Sequence, residues 1–291
     1  MEDTFGYSSE EEQALETLRA ALQGPINFID TAASYGDGEA ERRLGVVLEE
    51  IGRLPEGYAL MTKADRDLQT GDFSGEQIRR SVERSMRLLG LSQLQVVHLH
   101  DPEHSTFEQI MAPDGAVEVL QRFKEQGLIG HLGIAGGPAD LMQRYVDTGI
   151  FDLLITHNRY TLLNRSASSL LDAAAQRGMA VLNAAPYASG LLAKGPDSAA
   201  RYVYQEAPPE VVERARALQA ACERHNVPLA AASLQFSMRD RRVTATIVGM
   251  TKPERIPQTV DLAQHPIPEE LWGELNAVGW DETDPEVSRW G

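Results

Sequence analysis

The sequence has little cysteine and no long apolar run. Cys222 is the one cysteine in 291 residues, which excludes an internal disulfide and a cysteine-rich metal site. No stretch approaches the ~20 consecutive apolar residues that a membrane-spanning helix needs. Residues 1–12 lack the basic region and following apolar run of a secretory signal. We therefore expect a cytoplasmic protein that uses no metal and has no membrane contact.

Basic residues are also scarce. The chain has 27 Lys+Arg against 43 Asp+Glu, which gives a formal net charge of −16 at pH 7. A chain this acidic repels phosphate backbones, so nucleic-acid binding is disfavoured. Hydrophobic residues make up 42% of the sequence, a proportion that excludes disorder as the main state.

Short apolar segments alternate with longer amphipathic segments along the whole chain. The apolar segments are rich in Val, Ile and Leu on both faces, which is typical of strands buried in a parallel sheet. Predicted strands lie at residues 26–32, 58–63, 96–100, 129–135, 152–158, 180–187 and 244–250. Predicted helices lie at residues 10–22, 74–90, 114–126, 138–147, 166–177, 210–225, 228–238 and 253–263.

This alternation requires parallel pairing through right-handed crossovers, in an open doubly wound sheet or a closed barrel. The open sheet's G-x-G-x-x-G after the first strand is missing, so we predict a (β/α)8 TIM barrel, formed by residues 1–291 as a single domain. Only seven strands are found, and residues 1–8 are too short and polar to supply another. Either the true N-terminus is missing or the barrel is incomplete, and we favour a missing N-terminus. Residues 194–210 form an expected active-site loop, and residues 264–291 a C-terminal tail.

Four polar side chains stand at or beyond successive strand ends, where parallel barrels carry their reacting groups. They are Asp30, Tyr35, Lys63 and His100. A free phenol has a pKa near ~10, and a neighbouring ammonium such as Lys63 favours the phenolate and lowers that pKa. Asp30 would hold the lysine, and His100 would donate a hydrogen bond to a carbonyl oxygen. The set predicts carbonyl–alcohol interconversion with hydride from a cofactor. His98 competes for the histidine role, but it lies one layer deeper and is assigned to the core.

At this point the chain resembles the aldo-keto reductase family over about residues 9 to 265. The similarity lies in residues 28–45, 60–65, 96–103, 127–136, 189–195 and 228–256. It implies the barrel and assigns the family's catalytic tetrad to the four residues above. Residues 100–103, 159–163 and 186–192 are most similar to the aldose 1-dehydrogenase branch, including L-fucose dehydrogenases.

The resemblance also implies a nicotinamide cofactor site, with departures from the family's pattern. Ala135 and Gly136 stand where Ser-Asn is common, His157 matches a glutamine, and Tyr187 replaces the stacking aromatic that would fall near Ala184. A turn opens a helix after residue 250, and backbone N–H groups at a helix start favour a phosphate. Thr251, Lys252 and Arg255 there point to the 2′-phosphate of NADP(H), with NAD(H) possible. The remaining predicted cofactor contacts are Ser189, Gly190, Leu192 and Gly249.

Three functions compete at this stage. The leading one is an NAD(P)-dependent oxidoreductase that acts on a small-molecule carbonyl or on a sugar lactol, giving a lactone in the oxidative direction. The alternative is a non-catalytic, cofactor-binding sensor or subunit, to which the altered nicotinamide site and absent strand would be suited. An unrelated barrel enzyme lacks support, because the sequence has neither a glycine-rich phosphate loop nor a clustered ligand set. The oligomeric state is left open.

Overall fold

A computed structural model describes residues 10–198, 201–203 and 205–287 of the chain. Strands and helices alternate through these residues. The strands are β1 Phe28–Asp30, β2 Ala59–Ala64, β3 Leu94–His100, β4 Ile129–Ala135, β5 Leu153–His157, β6 Ala180–Ala184, β7 Arg201–Tyr202, β8 Gln205–Glu206 and β9 Ala245–Ile247. The helices are α1 Glu11–Gln23, α2 Glu39–Ile51, α3 Gly75–Leu89, α4 Phe107–Ile110, α5 Ala116–Glu125, α6 Ala139–Asp147, α7 Ser168–Gln176, α8 Leu191–Lys194, α9 Pro209–Arg224, α10 Leu229–Met238, α11 Arg255–Gln264 and α12 Glu269–Val278.

The chain divides into two compact units. The first holds the described residues up to Gly136, with Thr148–Leu153 and Met250–Ile256. In this unit β1, β2, β3 and β4 pair side by side, all parallel, in chain order. The register places Lys63 beside His98, and His100 beside Ala135. Since parallel strands end at the same edge, side chains that follow β1, β2 and β3 are brought together.

Helix α3 shows how the sequence defines an element of this unit. The Ser74 side chain accepts a hydrogen bond from the Gln77 N–H, and Gly90 ends the helix with φ of 68° in the left-handed region. Residues spaced three or four apart, among them Ile78 and Val82, are buried. The helix is thereby held at both ends and along one face.

Helix α2 was not predicted, although it follows β1 directly. It packs closely on α3, because a Cβ at Gly45 would lie 2.0 Å from the carbonyl oxygen of Leu88. Only glycine allows that approach. The short α4 and α8, and the C-terminal α12, were also absent from the prediction.

The second unit holds Gly137–Asp147, Leu154–Gly249 and the described residues from Pro257 onward. Here β6 pairs with β9 in parallel, and β7 with β8 in an antiparallel hairpin. This hairpin lies inside the loop predicted at residues 194–210, and Val203 at its turn has φ of 48°. Helices α9 and α12 pack on each other in this unit.

The predicted element order is confirmed. All seven predicted strands and all eight predicted helices occur, with helix ends within two residues of those predicted. Among the described residues, no helix combines the length and the hydropathy that crossing a bilayer requires. The predicted segment 1–8 lies outside the described residues, as do 199–200 and 204 of the loop and 288–291 of the tail. The single-domain assignment stays a prediction.

Candidate active site

The structure brings together, in the first unit, the four polar side chains predicted at the strand ends. The Lys63 ammonium Nζ donates to Asp30 Oδ2 at 2.6 Å, and it lies 3.2 Å from Tyr35 Oη. Its third partner is the carbonyl oxygen of Thr31, at 2.8 Å. The His100 ring meets the Tyr35 ring edge to face, with centroids 6.0 Å apart. One lysine therefore contacts both the carboxylate and the phenol.

Tyr35 reaches Lys63 because the chain after β1 continues its pairing with β2 and then turns back. The Thr31 N–H donates to the Met61 carbonyl, and the Ala33 N–H donates to the Lys63 carbonyl. The turn that follows carries a run of left-handed residues, Gly36, Asp37 and Gly38. Glycine adopts the left-handed conformation with little steric strain, so two of the three positions add little to the free energy of this turn.

Lys63 is held as a cation despite being only 3% exposed. Burial disfavours the ammonium, but the charge of Asp30, the interaction with Tyr35 and the hydrogen bonds to both outweigh it, so the pKa of Lys63 lies above its ordinary value. A positive charge is therefore present beside the phenol at neutral pH.

The prediction for Tyr35 needs a correction. We predicted that Lys63 lowers the pKa of the phenol, and its charge does act in that direction. Burial acts more strongly in the opposite direction, because it disfavours the phenolate, and it raises the pKa of Tyr35 to about 12. Before cofactor and substrate bind, Tyr35 is therefore a protonated phenol.

The two histidines of β3 lie in different environments. His98 is fully buried against β4, where a Cβ at Gly133 would lie 2.1 Å from its Cδ2. Burial and the nearby Lys63 charge lower the pKa of His98 to about 3, so the ring is neutral. The side chain of His100 is 13% exposed at the strand end, beside Tyr35. His98 therefore lies in the core, and His100 lies beside Tyr35.

Asp65 was missed as a site residue. It lies two residues beyond Lys63, and its Oδ1 is 2.6 Å from His100 Nδ1. The sequence contains a usable signal, because alternate residues of an extended segment share a face and Lys63 was already assigned to the site.

The first unit also contains five of the predicted cofactor residues. Ala135 and Gly136 are buried at the end of β4. The Ala135 carbonyl accepts from the Asp101 N–H at 2.7 Å. These small side chains fit the close approach of a flat ring.

The other three lie at the start of α11. Thr251 is joined to α1, since its carbonyl oxygen accepts from Gln13 Nε2 at 2.8 Å. Lys252 and Arg255 are exposed, and the Arg255 N–H donates to the Lys252 carbonyl. Two exposed cations at a helix start fit an anionic phosphate group.

The second unit contains the remaining predicted residues. His157 ends β5, with Nε2 at 3.3 Å from Glu286 Oε2, so its ring already faces a carboxylate. Gly249 stands in open space. The segment after β6 holds Tyr187, Ser189, Gly190 and Leu192, the last at the buried start of α8.

That segment after β6 has a strained backbone. Ala185, Ala188 and Ser189 have φ of 56°, 47° and 59°, in the left-handed region that non-glycine residues rarely adopt. Strain of this kind concentrates at functional sites and persists only where surrounding structure maintains it.

Within the described ranges, no group of three or more His, Cys, Asp or Glu side chains could hold a metal ion.

Comparisons with known proteins give a consistent result. A sequence model of the Aldo/keto reductase family matches residues 3–279. A D-threo-aldose 1-dehydrogenase of a Pseudomonas species is 31% identical, over 91% of this chain and 87% of that protein. An L-galactose dehydrogenase of Arabidopsis thaliana is 29% identical, over 95% of this chain and 83% of that protein.

A solved structure gives the fold. The holo form of an aldo-keto reductase from Bacillus halodurans superposes with a TM-score of 0.79, over 98% of this chain and 93% of that one, at 21% identity. At this identity the likeness shows the fold alone. The predicted (β/α)8 barrel, with seven of its strands found, is confirmed.

Proposed function

The chain belongs to the aldo/keto reductase family, and we propose that within it this protein oxidises an aldose at the anomeric carbon to the lactone, with NADP⁺ as the hydride acceptor. The family interconverts carbonyls and alcohols with nicotinamide cofactors, and this chain is such an oxidoreductase. Two similar proteins bear the names of sugar dehydrogenases, which supports the aldose as substrate.

The observation that carries the proposal is the contact of Lys63 with both Asp30 and Tyr35. In the oxidative direction Tyr35 removes the proton of the anomeric hydroxyl, and in the reductive direction it returns a proton to the carbonyl oxygen. The base in oxidation is the Tyr35 phenolate, which becomes the phenol, and in reduction the phenol gives up its proton and becomes the phenolate. Lys63 stabilises this phenolate, with Nζ 3.2 Å from the Tyr35 oxygen. Asp30 keeps the ammonium in place. A nicotinamide cofactor, when bound, would supply or accept the hydride.

His100 orients the substrate oxygen beside Tyr35. Asp65 engages Nδ1 of the imidazole, so Nε2 is the nitrogen that donates a hydrogen bond to that oxygen. Tyr35 and His100 together define where the reacting carbon must stand.

The preference for NADP(H) over NAD(H) is proposed from the start of α11. Thr251, Lys252 and Arg255 would hold the 2′-phosphate, which NAD(H) lacks. Ala135, Gly136, His157, Tyr187, Ser189, Gly190, Leu192 and Gly249 are kept as proposed cofactor contacts. We also propose that the protein acts in the cytoplasm on a small molecule, with support from its single cysteine. No observation favours the non-catalytic sensor, since all four tetrad residues are present and in contact.

The test is an assay of the purified chain with a panel of aldoses and either NADP⁺ or NAD⁺. We expect reduced cofactor to appear with a lactone as the product, and at lower concentrations of NADP⁺ than of NAD⁺. Lys252→Ala should weaken the use of NADP⁺ and leave that of NAD⁺ unchanged, so NAD⁺ is the internal control. A folded sample that binds NADPH but oxidises no aldose would contradict the proposed substrate class.

A further inference from the structure

Hydrogen bonds of its backbone groups hold Asp65 in place. It follows β2, and its N–H donates to Ser81 Oγ at 3.0 Å. Its carbonyl oxygen accepts from Gln77 Nε2 at 3.2 Å. Both partners lie on α3, so helix α3 fixes the main chain of residue 65 whatever side chain it carries.

The two carboxylate oxygens of Asp65 face two different parts of the active site. Oδ1 is 2.6 Å from His100 Nδ1 at the end of β3. Oδ2 accepts the Ser34 N–H at 2.9 Å. Ser34 directly precedes Tyr35, so one buried carboxylate joins the catalytic histidine to the loop that carries the catalytic tyrosine.

Asp65 is ionised in this position. Burial alone would raise the pKa of its carboxyl group, but the charge of His100 and the hydrogen bonds from His100 and Ser34 outweigh it, and the pKa lies below its ordinary value. A carboxylate only accepts hydrogen bonds. His100 Nδ1 must therefore carry a proton, and Nε2 carries one only when the ring is an imidazolium.

We propose that Asp65 is a positioning residue that holds His100 as an imidazolium, with Nε2–H left to donate to the substrate oxygen, and that ties the Tyr35 loop to it. The consequence for turnover rests on the proposed function. The charge and orientation of His100 do not, because both can be measured without substrate.

The surroundings of His100 agree with this charge state. Asp101, which has a left-handed φ of 45°, brings Oδ1 to 3.5 Å from Nε2. Burial lowers the pKa of His100, but the two carboxylates raise it by more, so the net shift is upward. The titratable groups around the ring are Lys63 on β2, Asp65 directly after β2, Asp101 after β3, His98 deeper on β3, and Tyr35 from the loop after β1.

Asparagine cannot replace Asp65. Its amide offers one oxygen and one NH₂ group, so it accepts from His100 or from Ser34 but not from both. It also removes the charge that favours the imidazolium. Asp65→Asn preserves the shape of the side chain and the backbone contacts with α3, so the variant is expected to fold.

The direct experiment is an NMR titration of the imidazole nitrogens in the cofactor-free protein. The His100 signals are identified by their loss in His100→Gln. We expect His100 in the wild type to keep its charge well above the ordinary pKa of ~6.5, and Asp65→Asn to lose that charge at clearly lower pH. Asp67→Asn, in the same loop with its carboxylate turned to the N–H groups of Gln69 and Thr70, is the matched control and should leave the titration unchanged.

Kinetics give a second readout. Asp65→Asn should lower kcat by about 10- to 100-fold, the effect of losing one charge-assisted hydrogen bond in the transition state, with cofactor binding unchanged. Because the variant loses the charge of His100 at lower pH, its activity should also begin to fall at a lower pH than that of the wild type. Added to His100→Gln, the substitution should cause no further loss, because Asp65 acts through His100.

The proposal fails if wild-type His100 titrates near the ordinary value, a result that does not depend on how any variant folds. It also fails if Asp65→Asn leaves the His100 titration in place, or if the losses of the two single variants multiply. A shifted titration in a protein that oxidises no aldose would uphold this inference and contradict the proposed function.

Discussion

Tyr35 is a weak acid in the cofactor-free protein, with burial raising its pKa to about 12 against the opposing charge of Lys63. Below that pKa the phenolate fraction grows tenfold with each pH unit. Oxidation needs the phenolate as base, whereas reduction needs the phenol as acid. Oxidation should therefore accelerate with rising pH for as long as His100 keeps its charge, and reduction should not accelerate.

Lys63→Met tests whether the charge of Lys63 lowers the pKa of Tyr35. The substitution removes the one nearby charge that lowers the pKa of Tyr35, so that pKa rises further and the phenolate becomes scarcer. We expect oxidation to slow by about 100-fold or more, the contribution of a positioned acid/base group, and its pH profile to move to higher pH. The measurement is kcat/KM for aldose oxidation across pH. A profile that superimposes on that of the wild type would show that Lys63 does not act on Tyr35.

The clustering of the four side chains could be predicted because each stands at or beyond the end of a strand. Strand ends are visible in the sequence, and parallel pairing places them together. The pKa of Tyr35 could not be predicted, since it depends on how far burial outweighs a single charge. The pairing of His157 with Glu286 joins positions 129 residues apart, a separation that no local pattern reports.

Among the elements of the second unit, the C-terminal segment is bound by ion pairs to the residues that follow β5. Arg159 has no exposed side-chain surface. Its guanidinium forms a bidentate ion pair with Asp284 and donates a hydrogen bond of 2.8 Å to Glu286. Burial would raise the pKa of Glu286, but the His157 and Arg159 contacts lower it to about 2. The ionised carboxylate therefore stabilises the folded chain.

The sign of the pH effect follows from that lowered pKa. The stabilisation is complete above the ordinary glutamate pKa of 4.5 and is lost as pH falls from there towards about 2. With allowance for solvent screening it amounts to about 2 kcal/mol. Glu286→Gln should lower the free energy of unfolding by this amount at pH 7, and the gap should close as pH falls through that window.

Urea unfolding of both proteins at several pH values measures the gap. Glu49→Gln, an exposed glutamate of α2, is the matched control and should show no pH-dependent gap. A gap that stays constant down to pH 2 would show that the charge of Glu286 does not stabilise this segment.

Periodic elements were the ones that could be predicted. Helices α3 and α5 have clear apolar spacing, and α3 has a cap at each end. Helix α2 could not be predicted from a start signal, because it begins shortly after Tyr35 and Gly38 provides no capping side chain. The hairpin of β7 and β8 has two residues in each strand, too few for an alternating pattern.

For the whole molecule, the order of elements carried the fold prediction. Strand–helix alternation leaves few topologies, and the missing dinucleotide fingerprint removed the open sheet. The net charge of −16 makes the exposed Lys252 and Arg255 more informative, because cations are scarce in this chain. The substrate could not be predicted in this way, since loops rather than the strand order determine it.

Turnover of Tyr35→Phe shows whether Tyr35 transfers the substrate proton. The phenyl ring keeps the packing and loses only the hydroxyl that Lys63 contacts. We predict that aldose oxidation and carbonyl reduction both disappear, while fluorescence titration with NADPH gives nearly the wild-type affinity. If Tyr35→Phe turned over at the wild-type rate, Tyr35 would not be the group that transfers the proton.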